Sequence, residues 1–119
     1  MSNPIITTLS KNDFAVALSN NPGFLVIKFG AEWCGPCKLI ETQVHNWMNT
    51  MPSTIQCAII DVDDNFEIYA FLKSKKMING IPAILCYEKN NLTHIPDDSV
   101  IGANPNEIDL FFNRCLHGK

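Results

Sequence analysis

Two cysteines three residues apart, Cys34 and Cys37, stand between an apolar run and a stretch with helical periodicity. The run 24–29 is apolar apart from Lys28, a pattern typical of a strand that is buried on both faces of a sheet. Residues 33–37 then turn the chain into a helix, because apolar side chains recur at helical spacing after Cys37. The sequence therefore places the cysteines at the turn between a buried strand and the start of a helix.

The rest of the chain alternates between strand-like and helix-like segments. The first half of the chain predicts a short opening strand with Ile5, Ile6 and Leu9, a helix capped by Ser10, the strand 24–29 and a long helix ended by Pro52. The second half predicts a strand 55–62, a helix 65–75, strands 83–87 and 100–101, and a helix that begins at Pro105. The side chains expected to face inward are Phe66, Tyr69, Ala70 and Leu72 in the helix 65–75, and Ile108, Phe111, Phe112 and Leu116 in the last helix. This alternation predicts an α/β fold with parallel pairing, except for an antiparallel pair at the end, where the connection is too short for a helix. The length of 119 residues fits a single domain, 1–119.

Charge and cysteine content restrict the class of protein. The chain has 9 Lys and Arg against 12 Asp and Glu, a net charge of -3, which argues against a nucleic-acid partner. No segment is apolar for long enough to span a bilayer, and residues 1–8 lack the pattern of a secretory signal.

The five cysteines are odd in number and irregularly spaced, so we expect reduced thiols and a cytoplasmic location. Cys57 and Cys86 fall among apolar residues and are expected to be buried, whereas Cys115 is expected to be more exposed.

The position of Cys34 and Cys37 determines their expected chemistry. A thiol at a helix N-terminus meets unpaired backbone N–H groups and the positive end of the helix dipole, and both favour the thiolate that attacks disulfides. Cys34 is expected to be the exposed nucleophile and Cys37 the resolving thiol. A zinc half-site is the alternative, but the other cysteines and His45, His94 and His117 form no second pair at ligand spacing. The sequence predicts no metal and no other cofactor, because the dithiol itself is the redox group.

Four segments resemble the thioredoxin family, and together they span nearly the whole chain in the family's order. They are the active-site motif Ala31-Glu32-Trp33-Cys34-Gly35-Pro36-Cys37-Lys38, the strand end Asp61-Val62-Asp63, the cis-proline loop Gly80-Ile81-Pro82 and the glycine-containing strand end Ile101-Gly102-Ala103-Asn104. The resemblance implies the thioredoxin fold, a mixed central sheet flanked by helices on both faces. It also implies that Cys34 and Cys37 carry out dithiol-disulfide exchange.

The resemblance further implies a substrate groove beside the cysteines. Ile81 and a cis Pro82 are expected to pack next to the cysteines, and the backbone of residue 81 is expected to bond an extended substrate as a neighbouring strand would. The groove is expected to be completed by Trp33, Gly35, Pro36, Ile101, Gly102 and Ala103. Ordinary packing is the alternative for Trp33 and Ile101, but an exposed aromatic side chain beside a reactive thiol favours a groove.

Lys28 is the main departure from the family pattern. Family members carry a buried acid at this position, which exchanges a proton with the resolving thiol, and often a basic residue at the position of Ile59. Glu41 follows Cys37 by four residues, so we hypothesise that Lys28 and Glu41 form a charge-swapped pair in which Glu41 is the proton relay. In the alternative, Lys28 extends to the surface and Glu41 is an ordinary exposed residue. Thr42 replaces a kinking proline of the family, which predicts a straighter helix.

Three functions are consistent with these features. The first is a monomeric protein-disulfide reductase, which receives electrons from a thioredoxin reductase or an equivalent donor and passes them to disulfide-containing proteins. The second is a thiol oxidase or isomerase, which Lys28 favours weakly, although Gly35 and Pro36 between the cysteines resemble the residues of reductases. The third is a binding module that uses the groove and whose redox state is incidental. No nucleic-acid or membrane partner is expected.

Overall fold

The computed structural model describes residues 2–118, which contain four strands and five helices. Their bounds are α1 Lys11–Ser19, β1 Phe24–Gly30, α2 Gly35–Leu39, α3 Glu41–Asn49, β2 Ile55–Asp61, α4 Phe66–Ser74, β3 Ala83–Glu88, β4 Asp98–Ile101 and α5 Pro105–His117. The strands form one sheet in the order β2-β1-β3-β4. β2 is parallel to β1, whereas β3 is antiparallel to both β1 and β4. None of the helices within residues 2–118 has the length and apolar character needed to cross a membrane.

The strand β1 lies between β2 and β3, and residues 25–30 are all buried. This confirms that the apolar run forms a strand covered on both faces. One face of β1 packs in the core beneath α1 and α4 through Leu25, Ile27 and Phe29. Val26 points the other way and packs in the core beneath α3 and α5. Because side chains alternate along a strand, Lys28 lies on the same side of the sheet as Val26, beneath α3.

Two features of the sheet differ from the prediction. The opening strand is reduced to a single bridge between Ile6 and Ala58 of β2. β3 is antiparallel to β1, although the alternation of strands and helices predicts parallel pairing. The reason is that the segment 75–82 returns the chain to the end of the sheet where β1 finishes, so that Ala83 of β3 lies opposite Phe29. The last two strands pair antiparallel, as predicted.

At two positions the helices bury different side chains from those predicted. Phe66, at the start of α4, is 68% exposed, and Leu116, near the end of α5, is 39% exposed. Ile68 and Cys115 are buried instead. In α5 the inward positions recur three, four and seven residues after Ile108, a spacing that selects position 115 rather than 116. The predicted exposure of Cys115 is therefore wrong.

The helix after the cysteines is interrupted, contrary to the prediction of a straighter helix. α2 ends at Leu39 and α3 begins at Glu41, and the backbone of Ile40 between them adopts φ -109° and ψ 2°. Ile40 is fully buried, whereas Leu39 is 81% exposed. Thr42 is not a proline, so the break arises without the usual cause of a kink. Cys37 therefore belongs to a short helix that is separate from α3.

Asn21 joins the turn between α1 and β1 to the sheet. Its side chain is buried, its Nδ2 donates a hydrogen bond to the carbonyl oxygen of Tyr87 at 2.8 Å, and its Oδ1 accepts one from the N–H of Gly23 at 3.0 Å. We expect Asn21→Ala to lower the free energy of unfolding by about 1–3 kcal/mol, because both backbone groups lose these bonds in a largely buried place. Urea denaturation measures the change.

Asn20→Ala is the matched control for this prediction, since Asn20 is the neighbouring residue and is exposed. Its replacement is expected to change the free energy of unfolding by less than about 0.5 kcal/mol. Equal losses in the two variants would contradict the role assigned to the Asn21 side chain.

Candidate active site

Cys34 and Cys37 form a disulfide at the N-terminus of α2. Their Cα atoms are 5.2 Å apart, within the range that disulfides adopt. Cys34 is the N-cap residue of α2, and its Sγ accepts a hydrogen bond from the backbone N–H of Cys37 at 3.2 Å. After reduction this N–H group would face a Cys34 thiolate, and a hydrogen bond to the charged form favours that form.

Neither cysteine of the disulfide is exposed, since Cys34 is 4% and Cys37 is 3% exposed. The prediction of an exposed Cys34 is therefore wrong. Its side chain turns inward to bond Cys37, and its Sγ lies 3.9 Å from the carbonyl oxygen of Ile81. Access of a substrate to Cys34 thus depends on the residues that surround the disulfide.

The loop before β3 lies against the cysteines, as the resemblance implies. The peptide bond between Ile81 and Pro82 is cis, and Pro82 is buried. The carbonyl oxygen of Pro82 accepts a hydrogen bond from the N–H of Gly102 at 2.9 Å, and Ile101 pairs with Ala83 across β4 and β3. The cysteine turn, this loop and the end of β4 therefore meet at one edge of the sheet.

The residues predicted to form the groove differ in exposure. Trp33 is 69% exposed and Ile101 is 45% exposed. Gly35 and Pro36 are also exposed, whereas Ile81, Gly102 and Ala103 are half-buried and Pro82 is buried. Ala103 packs against the core beneath α3 and α5. Of the predicted groove side chains, those of Trp33, Pro36 and Ile101 are the most open to a substrate.

The Trp33 indole is held by Asp63, which the sequence analysis did not single out as a site residue. Trp33 Nε1 donates a hydrogen bond to Asp63 Oδ2 at 2.8 Å. The N–H of Asp63 in turn donates to Asp61 Oδ1 at 2.8 Å, which fixes the turn after β2. The strand end Asp61-Val62-Asp63 is visible in the sequence, but the spacing alone does not indicate that its last carboxylate meets the indole.

A cavity of about 330 Å³ opens beside Cys37, between the ends of β1 and β2 and the helices α2 and α3. Its charged or ionisable residues are Lys28, Glu32, Lys38, Glu41, His45 and Asp61. Gly30 lies between Cys37 and Lys28, because a methyl group built on its Cα would be 3.4 Å from Cys37 Sγ and 3.7 Å from Lys28 Cε. The absence of a side chain at Gly30 leaves the lysine next to the resolving sulfur.

Lys28 is 5% exposed and lies opposite Ile59 of β2 and Ile84 of β3. The pairing with Ile59 confirms that an apolar residue occupies the place where the family often has a basic one. Burial lowers the pKa of Lys28, because desolvation disfavours the ammonium, and the carboxylate of Glu41 partly opposes this effect.

Lys28 and Glu41 both line the cavity, but they do not form the predicted direct ion pair. Within residues 2–118, the ion pair closer than 4.0 Å joins Arg114 and Asp98. Glu41 is exposed, as the alternative predicts, but Lys28 is not at the surface, so that alternative is wrong for the lysine. The roles of Lys28 and Glu41 in proton transfer stay predictions.

The three other cysteines, Cys57, Cys86 and Cys115, lie outside the active disulfide and all are buried. This confirms the burial predicted for Cys57 and Cys86. Burial, together with the nearby Cys115, raises the pKa of Cys57 to about 12, so its reactive thiolate is scarce at neutral pH. No group of three or more His, Cys, Asp or Glu side chains among the described residues could hold a metal ion.

Comparison with known proteins gives a consistent result. The family model for thioredoxin matches residues 5–113. The chain is 33% identical over 93 residues to thioredoxin 3 of Plasmodium falciparum, which covers 77% of this chain and 48% of that protein. It is 31% identical over 98 residues to a thioredoxin of Ophiophagus hannah, which covers 82% of this chain and 85% of that protein. The crystal structure of thioredoxin from Trypanosoma brucei brucei has a TM-score of 0.76 at 27% identity and covers 100% of this chain and 96% of that one.

The chain therefore belongs to the thioredoxin family, and its mixed four-stranded sheet flanked by helices is the thioredoxin fold. This confirms the resemblance seen in the sequence. The chain spans about half the length of three of the curated relatives that it matches, at 48%, 53% and 53%. The names of some relatives place them in chloroplasts or mitochondria, so family membership alone does not identify a compartment.

The buried ammonium of Lys28 is expected to reduce stability at neutral pH. Its pKa is lowered from the ordinary value of 10.5 in the folded protein, so between the two values the unfolded chain binds more protons and stability rises with pH. We expect Lys28→Met to raise the free energy of unfolding at pH 7 by an amount on the order of 1 kcal/mol, since an apolar residue of similar volume often stabilises a protein when it replaces a buried charged one. The gain is expected to shrink as the pH approaches 10.5.

Urea denaturation at several pH values measures this difference, with Lys89→Met as the control. Lys89 is exposed, so its replacement is expected to leave stability nearly unchanged at every pH. A Lys28→Met variant that is less stable than the wild type at pH 7 would contradict the prediction, as would a gain that does not depend on pH.

Proposed function

We propose that this protein reduces disulfide bonds in other proteins by dithiol-disulfide exchange at Cys34 and Cys37. The observation that carries the proposal is their disulfide at the N-terminus of α2, where the N–H of Cys37 is directed at the Cys34 sulfur. Membership of the thioredoxin family supports the same chemistry. The other three cysteines are poor candidates because they lie in the core beneath α3 and α5 and not at the turn where α2 begins.

The exchange takes place in two steps. The Cys34 thiolate attacks one sulfur of the substrate disulfide, which forms a mixed disulfide and releases the other substrate sulfur as a thiolate. Cys37 then loses its proton, and its thiolate attacks Cys34 Sγ, which closes the internal disulfide and releases the second substrate thiolate. Each substrate thiolate takes up a proton, so that two electrons and two protons reach the substrate. An external dithiol donor reverses these steps and restores the reduced protein.

We propose that the substrate lies as an extended segment in the groove beside the disulfide. The carbonyl oxygen of Ile81 lies 3.9 Å from Cys34 Sγ, so a segment that pairs with the backbone of residue 81 would bring its own sulfur close to Cys34. The exposed side chains of Trp33, Pro36 and Ile101 would supply apolar contacts, while Gly35, Pro82, Gly102 and Ala103 would shape the surface around the sulfur. Within the neighbouring cavity, Lys28 and Glu41 would maintain the proton balance of the dithiol.

The partners that fit this chemistry are disulfide-containing proteins and an electron donor, a thioredoxin reductase or an equivalent dithiol. We propose that the protein acts as a monomer in a compartment that keeps thiols reduced, such as the cytoplasm. The odd number and irregular spacing of the five cysteines support such a compartment, because oxidising compartments favour proteins with paired cysteines.

Reduction of insulin with dithiothreitol as the donor tests the proposed activity. We expect the wild-type protein to accelerate the reaction over dithiothreitol alone and Cys34→Ser to return it to that background, because the nucleophile is lost. Cys115→Ala is the matched control, since it removes a buried thiol in α5 and is expected to retain the acceleration.

The outcomes of this assay distinguish the three functions. Acceleration that survives Cys34→Ser would contradict the mechanism. A wild-type protein that does not accelerate the reaction would contradict the reductase function and favour a binding module, whose partner would still bind a variant with both cysteines replaced by serine. Efficient oxidation of a reduced peptide by the disulfide form, together with poor reduction of insulin, would favour an oxidase.

A further inference from the structure

A lysine rather than an acid lies across Gly30 from the Cys37 sulfur, in the cavity beside it. A single methyl group on Gly30 would contact both Cys37 Sγ and Lys28 Cε, at 3.4 Å and 3.7 Å. Both Cys37 and Lys28 are buried, whereas Glu41 is exposed. A group that exchanges a proton with a buried thiol must lie within hydrogen-bond reach of it, directly or through one water molecule. Gly30 leaves Lys28 beside Cys37, and the adjoining cavity of about 330 Å³ is large enough to admit a water molecule between them.

We propose that Lys28, and not Glu41, exchanges the proton of Cys37 during disulfide exchange. The proposal deepens the proposed reductase function and rests on it. It exchanges the roles of the two residues in the hypothesis drawn from the sequence, in which Glu41 is the proton relay and Lys28 keeps Glu41 ionised. In the present assignment Lys28 is the relay, and Glu41 acts on it from across the cavity.

The proton balance follows from this assignment. When a substrate is bound to Cys34 as a mixed disulfide, the neutral amine of Lys28 takes the proton of the Cys37 thiol and becomes an ammonium. The Cys37 thiolate attacks Cys34 Sγ, and the sulfur–sulfur bond to the substrate breaks with release of a substrate thiolate. When a donor dithiol later reduces the disulfide, Cys37 leaves as a thiolate and the Lys28 ammonium returns the proton to it.

The surroundings of Lys28 suit a group that gains and loses a proton. The flanking strands place the apolar residues Ile59 and Ile84 opposite it, so neither of its cross-strand partners offers the ammonium a charge. Burial lowers the pKa of Lys28, because desolvation favours the neutral amine over the ammonium. The charged or ionisable groups that face the cavity come from the turn after β1, from α2, from α3 and from β2, and they are Glu32, Lys38, Glu41, His45 and Asp61.

Substitution of Lys28 by methionine and by arginine separates proton exchange from simple charge. Methionine removes both the charge and the proton, whereas arginine keeps the charge but does not give up its proton in proteins. A lysine that only stabilised the Cys37 thiolate by its charge would be replaced well by arginine. A lysine that exchanges the proton would be replaced by neither residue.

The measurement is the release of a coloured thiolate after the reduced protein is mixed with an equimolar aromatic disulfide in a stopped-flow instrument. The first phase reports the attack of Cys34 on the reagent, and the second reports the attack of Cys37 on the mixed disulfide. Cys37→Ser identifies the second phase by its loss. We expect Lys28→Met and Lys28→Arg to slow the second phase at pH 7 by at least about tenfold, while the first phase changes little.

The pH dependence of the second phase supplies the readout that a structural role would not change. In the wild type the rate is expected to rise as Lys28 loses its proton below the ordinary lysine pKa of 10.5. Both Lys28 variants are expected to lack this component, so that only ionisation of the Cys37 thiol itself raises their rate. Glu41→Gln is expected to retain the rise but to move it to lower pH, because the carboxylate raises the pKa of Lys28. His45→Gln is expected to leave the rise in place.

The possible results decide between the assignments. A Lys28→Arg variant with a second phase close to that of the wild type would overturn the proposal, as would a Lys28→Met variant at wild-type rate. Loss of the second phase in Glu41→Gln, with normal rates in both Lys28 variants, would restore Glu41 as the relay. Failure of the reductase function itself is recognised separately, because the wild type would then not accelerate the reduction of insulin by dithiothreitol.

Discussion

The burial of β1 on both faces of the sheet is the constraint on which the active site depends. With β2 on one side and β3 on the other, β1 can leave the sheet only at its end, and there the chain turns into α2. That turn places Cys34 at the N-cap and Cys37 one turn inside. The same burial encloses the Lys28 side chain, which extends from β1 toward the cavity beside Cys37.

This arrangement links stability to chemistry at one residue. An ammonium in a mostly apolar place costs free energy unless a partner compensates for it, and Glu41 compensates for it only across the cavity. A methionine would fill the same space without that cost, yet it could not exchange a proton. Active sites commonly keep a destabilising group where the reaction needs it. The proposed exchange of a proton with Cys37 would explain why a charged side chain stands in the buried strand β1.

The sequence predicts the elements well where a single periodicity or motif determines them. The apolar run 24–29 predicts β1, and the motif around Cys34 and Cys37 predicts the strand-to-helix turn. The family resemblance adds the cis bond before Pro82, which no local pattern indicates. These predictions succeed because each depends on residues that are adjacent in the chain or on a complete motif.

The predictions that fail depend on contacts between distant segments. The burial of Cys34 follows from its disulfide and from the Ile81 carbonyl, which is 47 residues away. The direction of β3 depends on the path of the segment before it, and the burial of Cys115 depends on which face of α5 meets the sheet. The role of Gly30 is also hidden, because a glycine at the end of an apolar run gives no sign that it separates a thiol from an amine.

The central claim is that Cys34 attacks the substrate and Cys37 releases it. The most direct test is to mix reduced Cys37→Ser protein with a disulfide-containing protein and to locate the covalent adduct by mass spectrometry. The account predicts a stable mixed disulfide on Cys34 and none in the variant with both Cys34 and Cys37 replaced by serine. An adduct on Cys57, Cys86 or Cys115, or no adduct under conditions where the wild type reduces the substrate, would contradict it.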